Sequence, residues 1–117
     1  MSDDGRDNSI GVERAGRGVV ARVGVAEPRD DDLERLHRLV GESARDEGVE
    51  IVVLDLSGVK VLPSHGLGML VKVSEECAGR GQRLRLAGLS PELRETVRVT
   101  RLDRVLCVVE SVGEGLR

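Results

Sequence analysis

The chain has no phenylalanine, tyrosine or tryptophan, and only two cysteines, two histidines, two methionines and three prolines in 117 residues. Without an aromatic ring there is no platform on which an unpaired base could stack, which excludes the stacking mode of single-strand binding. Neither sign of charge prevails: 18 Lys and Arg stand against 21 Asp and Glu, for a formal net charge of −3. The basic excess of a nucleic-acid binder is missing. No apolar run approaches the ~18 residues of a membrane span, and Met1-Ser2-Asp3-Asp4 is acidic where a secretory leader is basic and then apolar. A cytoplasmic protein is expected, with neither nucleic acid nor membrane as partner. Cys77 and Cys107 lie far apart in no CxxC or Cys/His spacing. Cys77 falls on the apolar side of a predicted helix and Cys107 inside a predicted strand, so both are expected as buried, reduced thiols.

What remains is 39% hydrophobic and 33% charged. The core must be assembled from Val, Leu, Ile, Ala and Met, and modest stability is expected unless a partner or a second copy adds to it. A chain of this length suits one domain. We assign residues 1–8, polar and charged, to a flexible N-terminal tail and residues 9–117 to that domain.

The sequence is organised around Ile51 to Cys77. Ile51-Val52-Val53-Leu54-Asp55-Leu56 is β-branched and nearly continuous, the pattern of a buried strand. It breaks at Ser57-Gly58, resumes as Val59-Lys60-Val61-Leu62, and changes period after Pro63-Ser64-His65-Gly66. Leu67, Leu70, Val71, Ser74, Cys77 and Ala78 then fall at the spacing of one helix face. The strand thus hands over to a helix at Pro63-Ser64. A serine at that seam has two readings: it caps the helix, a role for which serine is favoured, or it is an exposed phosphoacceptor where a helix N-terminus tolerates an anion.

Upstream, Ile10 to Glu13 and Val19 to Val25 flank Ala15-Gly16-Arg17-Gly18, a predicted hairpin. Asp30-Asp31-Asp32 precede Leu33, Leu36, Val40 and Ala44. The acids favour the first turn of a helix rather than a metal, His37 lies beside the apolar side, and Gly48 follows as a stop. Downstream, Arg83 to Ala87 alternates as a strand, and Ser90-Pro91-Glu92 is a helix start with cap, first-position proline and first-turn acid. Arg94, Arg98 and Arg101 form a basic row opposite Leu93 and Val97. Val105 to Val109 is a last predicted buried strand, and any terminal helix after Glu110 is limited to one or two turns. An initial hairpin followed by alternating helix and strand predicts an α/β fold with the later strands parallel.

The run Val52-Val53-Leu54-Asp55-Leu56-Ser57-Gly58-Val59, followed after four residues by Ser64-His65-Gly66-Leu67-Gly68, resembles the STAS domains of bacterial anti-sigma factor antagonists. The likeness continues through Gly79 to Pro91 and Leu102-Asp103-Arg104-Val105-Leu106. The resemblance implies a STAS-like mixed sheet of about five strands with three to four helices. It also implies that Ser64 is the serine a partner kinase phosphorylates, with the unphosphorylated form binding an ATP-binding anti-sigma factor serine kinase and a phosphatase as a further partner. Pro63 stands where that family usually has Asp, and His65 where it has a second Ser or Thr. Arg29, Asp30, Pro63, His65, Gly66, Met69 and Lys72 are the candidate partner contacts, with core packing as the other reading of Met69. The rival expectation is a constitutive adaptor, in a sensory complex or on a transporter ATPase, with Ser64 only a cap. A monomer or weak homodimer is expected.

Catalysis is not expected. Ser64 and His65 are adjacent, which rarely aims the two side chains at each other, and His37 lies on another helix. Gly16-x-Gly18 leads into a strand rather than a helix, and Gly66-Leu67-Gly68 lacks the Gly-Lys-Ser/Thr end of a phosphate loop. No cofactor or metal is implied.

Overall fold

A computed structural model describes residues 9–117; the tail assigned to residues 1–8 lies outside the described residues. Two strands, β1 (Ile10–Ala15) and β2 (Gly18–Val23), form the hairpin, and α1 (Asp30–Ala44), β3 (Ile51–Asp55), α2 (Ser64–Gly79), β4 (Arg83–Ala87), α3 (Pro91–Val99), β5 (Cys107–Val109) and α4 (Val112–Gly115) follow. The sheet runs β1-β2-β3-β4-β5, antiparallel in the hairpin and parallel thereafter. This is the mixed sheet expected, with an initial hairpin and then alternation.

The topology dictates which face is covered. Each parallel crossover advances one strand in the same direction, and such crossovers are right-handed. The crossover helices must then share a face. Leu36, Val40, Leu70, Val73, Cys77, Leu93 and Val97 indeed join Val19, Ala21, Val52, Leu54 and Leu86 in one buried cluster. In register, Ala21, Leu54 and Leu86 form a row across that face. On the other face Val20 and Val53 are joined by Arg85, and Val20, Val53 and Ala87 are covered by Val109, Val112 and Leu116. There α4 comes so close that a Cβ on Gly115 would lie 3.1 Å from a γ-methyl of Val53. Arg85 holds it by donating from Nη1 to the Gly115 carbonyl at 2.7 Å.

Local signals hold at several ends. The Ser90 Oγ accepts from the Leu93 N–H at 3.1 Å with Pro91 behind it. Asp32 Oδ2 accepts from the Arg29 N–H at 3.0 Å and closes the first turn of α1. In α1 the helix ends at Ala44, and Gly48 adopts φ +84° in the turn beyond.

Three expectations are corrected. The buried side of α2 is Gly66, Leu70, Val73 and Cys77, whereas Leu67, Val71 and Ser74 are half-buried and Ala78 is exposed. Apolar residues surround this helix, so their period leaves its phase open, and the glycine that fits under Leu33 and Leu62 carries no hydrophobic signal. Cys107 is exposed, because the last strand is only Cys107–Val109 at the sheet edge. Val105, assigned to a buried strand, is 57% exposed just before it.

Candidate functional site

The site grows from the C-terminal end of β3. Asp55 Oδ1 accepts from the Ser57 N–H at 3.1 Å and turns the chain, while the Leu56 N–H donates to the Ala87 carbonyl at 2.9 Å and keeps the exit bound to β4. Gly58 is forced by a close pass: a Cβ there would lie 2.7 Å from the Val23 carbonyl oxygen. Val59 is buried, the Lys60 N–H donates to the Ala26 carbonyl at 2.8 Å, and the Ser90 hydroxyl donates to the Lys60 carbonyl at 2.8 Å. Connections after β2, β3 and β4 are therefore laced together into one platform.

On that platform Pro63 is the residue flanking the helix, with φ −69° and ψ 165°, and makes no side-chain cap. Ser64 is the first helical residue and is exposed. This corrects the capping reading: the cap position belongs to Pro63, and the Ser64 hydroxyl has no hydrogen-bond partner among the described residues. The first N–H groups of any helix lack intrahelical partners and carry the positive end of its dipole. A free hydroxyl here is thus open to solvent and set where added negative charge is tolerated.

Around it, His65 Nε2 lies 3.1 Å from Asp30 Oδ1, with side chains 54% and 91% exposed, and joins the start of α2 to the start of α1. Arg29 is the residue flanking α1, and both Arg29 and Lys72 are exposed. Met69 is half-buried against the core, so both readings of it hold in part. A groove of about 310 Å³ between the two helices is lined by Asp30, Leu33, Glu34, His37, His65 and Met69. Asp30, His65 and Met69 are thereby brought together.

Gly66 does not join this surface. It is buried, with Leu33 Cδ1 and Leu62 Cδ2 each 3.3 Å from the place of a Cβ. Its role is to let α2 pack onto α1. Sequence reasoning missed Leu33, Glu34 and His37 as groove residues; their spacing from Asp30 on α1, at three, four and seven positions, puts them along one side of a helix. His37 Nε2 further donates a 2.8 Å hydrogen bond to Glu76 Oε1, which holds that carboxyl below the usual carboxylate range.

The basic row on α3 is largely self-satisfied. Arg94 lies 3.4 Å from Glu110 and Arg98 2.6 Å from Glu95, while Arg101 falls beyond the helix in a left-handed conformation, φ 61°. Among the described residues no cluster of His, Cys, Asp and Glu could hold a metal, and no helix is long and apolar enough to cross a membrane.

The architecture recurs in solved structures. An anti-sigma-factor antagonist (STAS) domain protein from Planctomyces limnophilus matches with a TM-score of 0.80 and 21% identity, covering 92% of this chain and 94% of its own. An anti-sigma factor antagonist from Mycobacterium paratuberculosis matches at 0.78 and 24% identity, over 92% and 89% of the two chains. The Bacillus cell fate determinant SpoIIAA, in its phosphorylated form, matches at 0.70 and 17% identity, over 92% and 96%. At these identities the likeness is one of fold. The family model described as STAS domain matches residues 32–115, a span that holds α1 from its third residue, β3, Ser64 and all of α2, and the chain belongs to the STAS domain family.

Proposed function

We propose that this protein is a phosphorylation-regulated binding switch, an anti-sigma factor antagonist that binds an ATP-binding anti-sigma factor serine kinase while Ser64 is unphosphorylated. The observation that carries the reading is the Ser64 hydroxyl itself: exposed, at the first helical position, and with no bond to a described residue. The docking surface consists of Arg29, Asp30, Pro63, His65, Met69 and Lys72, with Gly66 supporting it from beneath. A phosphate would add roughly −1.5 to −2 charges on the residue next to His65, the partner of Asp30, whose side chain is 91% exposed. A partner already accommodating that carboxylate would meet like charge and an extra desolvation cost. Release needs no refolding, because the platform is held by main-chain bonds that the hydroxyl does not share.

Binding rather than catalysis also fits the histidine. His65 Nε2 engages Asp30, so the one neighbouring base is directed to another helix and does not serve the serine. The compartment consistent with this role is the bacterial cytoplasm, and a phosphatase restoring the hydroxyl completes the cycle.

Incubation with the host's candidate kinase and ATP, followed by intact-mass and peptide analysis, tests the reading. One phosphate on Ser64 is expected. Ser64→Ala should retain kinase binding and Ser64→Asp should weaken it by about tenfold or more; equal affinities would refute the switch. A second reading, a constitutive adaptor, is favoured by the Asp30–His65 bond and by Pro63, which replace a free acid and hydroxyl beside the serine. It requires an unmodified chain that stays bound.

A further inference from the structure

Ser64 lies beyond one end of β3, and the other end, at Ile51, borders a cleft of about 500 Å³ that the switch does not use. Arg17, Arg83 and Arg117 line it together with one side-chain carboxylate, Glu50. Positive side-chain charge is thus gathered here in a chain whose formal net charge is −3. Arg17 lies 3.5 Å from Glu50 in an open pair, with side chains 77% and 59% exposed, and the Arg83 and Arg117 guanidiniums have no acidic partner among the described residues. The neighbouring Arg14 and Arg85 are committed elsewhere, to the carbonyls of Gly16, at 2.7 Å, and Gly115, at 2.7 Å.

The walls are bare backbone. Gly16 and Gly81 line the cleft with φ +62° and +76°, and nothing lies within 4 Å of where their Cβ atoms would be. Left-handed backbone selects glycine there, and the result is open approach from both sides. Gly18, by contrast, lies under Leu116, whose Cδ2 is 2.4 Å from where a Cβ would be, so a side chain there would displace the end of that leucine. Gly18 and Leu116 form the third wall.

We propose that this cleft binds the phosphate group of a small phosphorylated molecule through Arg17 and Arg83. A guanidinium presents a planar fork of donors that matches phosphate oxygens two at a time. Lacking aromatic rings, the cleft selects the phosphate rather than a base attached to it. The five residues of β3 separate it from the Ser64 platform by about 16 Å at 3.3 Å per residue. Occupancy therefore leaves the kinase-docking surface free, and the proposal stands apart from the switch.

The test is a titration of the isotope-labelled full chain with inorganic pyrophosphate at constant ionic strength, followed through backbone amide signals. Saturating shifts are expected at Gly16, Gly18 and Gly81, weakened at least tenfold in Arg17→Gln/Arg83→Gln and unchanged in Arg98→Gln. Glu50→Gln, which removes the one competing side-chain carboxylate, should tighten binding severalfold. Shifts that rise without saturation, that sodium chloride reproduces, or that persist in the double variant would overturn the site, as would a Glu50→Gln variant that binds no better.

Discussion

On one face of the sheet α1, α2 and α3 lay Leu36, Val40, Leu70, Val73, Cys77, Leu93 and Val97 over a continuous floor. On the other, α4 is four residues long and touches the sheet through Gly115, with Val112 and Leu116 beside it. The same strands thus carry two unequal layers. The inequality follows from one fact of topology, because crossovers of one hand that always step the same way leave the second face to whatever follows the last strand. It also explains where the site is. Ser64 is mounted on a helix anchored in the thicker layer, so its position is fixed by the part of the molecule that loses most when disturbed.

The sharpest way to probe that inequality is to remove methyl groups from adjacent residues of β3, which point to opposite faces. Leu54 and Val53 are both fully buried, at 0% exposure. Leu54→Ala should cost about 2–5 kcal/mol, since the packed layer above it cannot collapse into the gap. Val53→Ala should cost about 1–2.5 kcal/mol, the value of its lost methyl groups, because α4 can settle toward the sheet. Denaturant unfolding measures both. Equal costs for the two would mean that the α4 layer is as firmly packed as the helical one.

Those two residues also mark how far the sequence could be read. The β-branched run Ile51 to Leu54 and the cap at Ser90 depend on neighbours a few positions away, and both stand as expected. The hairpin and the alternation that followed placed the crossovers and made the later strands parallel, while the order of strands came only from the structure. Ser64 was legible as the seam between strand and helix, but its lack of a cap was not, since Pro63 accepts the extended conformation that the flanking position needs. Gly66 was misplaced because the side chains that enclose it, Leu33 and Leu62, come from another helix and from a loop. Arg85 stood out only as part of an alternating strand, and its anchoring of a helix thirty residues on carries no local signal. The Arg17–Arg83 cleft brings together residues from the hairpin turn and the start of β4, and no local period reports such a meeting.

The two cysteines sample the layers chemically. Cys77 is 0% exposed on the buried side of α2, and burial pushes its thiol up, against a smaller opposing pull from Arg80. Cys107 is exposed on the edge strand. A disulfide reagent added to the native protein should titrate Cys107 promptly and Cys77 at least about a hundredfold more slowly, because the latter reacts only when the helical layer opens. For the same reason stability should fall as the pH rises past the ordinary thiol value, where the unfolded chain ionises Cys77 and the folded one does not. Comparable rates for the two thiols would mean that α2 opens without the rest, and Ser64 would then sit on a mobile mount.

The smallest effect belongs to the tie between the two helices of the thicker layer. Glu76 is held below the usual carboxylate range, chiefly by its hydrogen bond with His37, with Coulombic help from His37, Lys72 and Arg80. The sign follows from linkage: a depressed folded-state value stabilises the fold above the unfolded carboxylate value, and the contribution is lost as the pH falls through the folded one. Both side chains are about a third exposed, so the pair should be worth only about 0.2–1 kcal/mol. Glu76→Gln should therefore lower stability by that amount at pH 7 and by less at pH 3, as the wild-type carboxyl takes up its proton. A loss of equal size at both values would show that Glu76 acts through the packing of its stem on α1 rather than through its charge, and that the hold of α1 on α2 rests on Gly66 and the apolar residues around it.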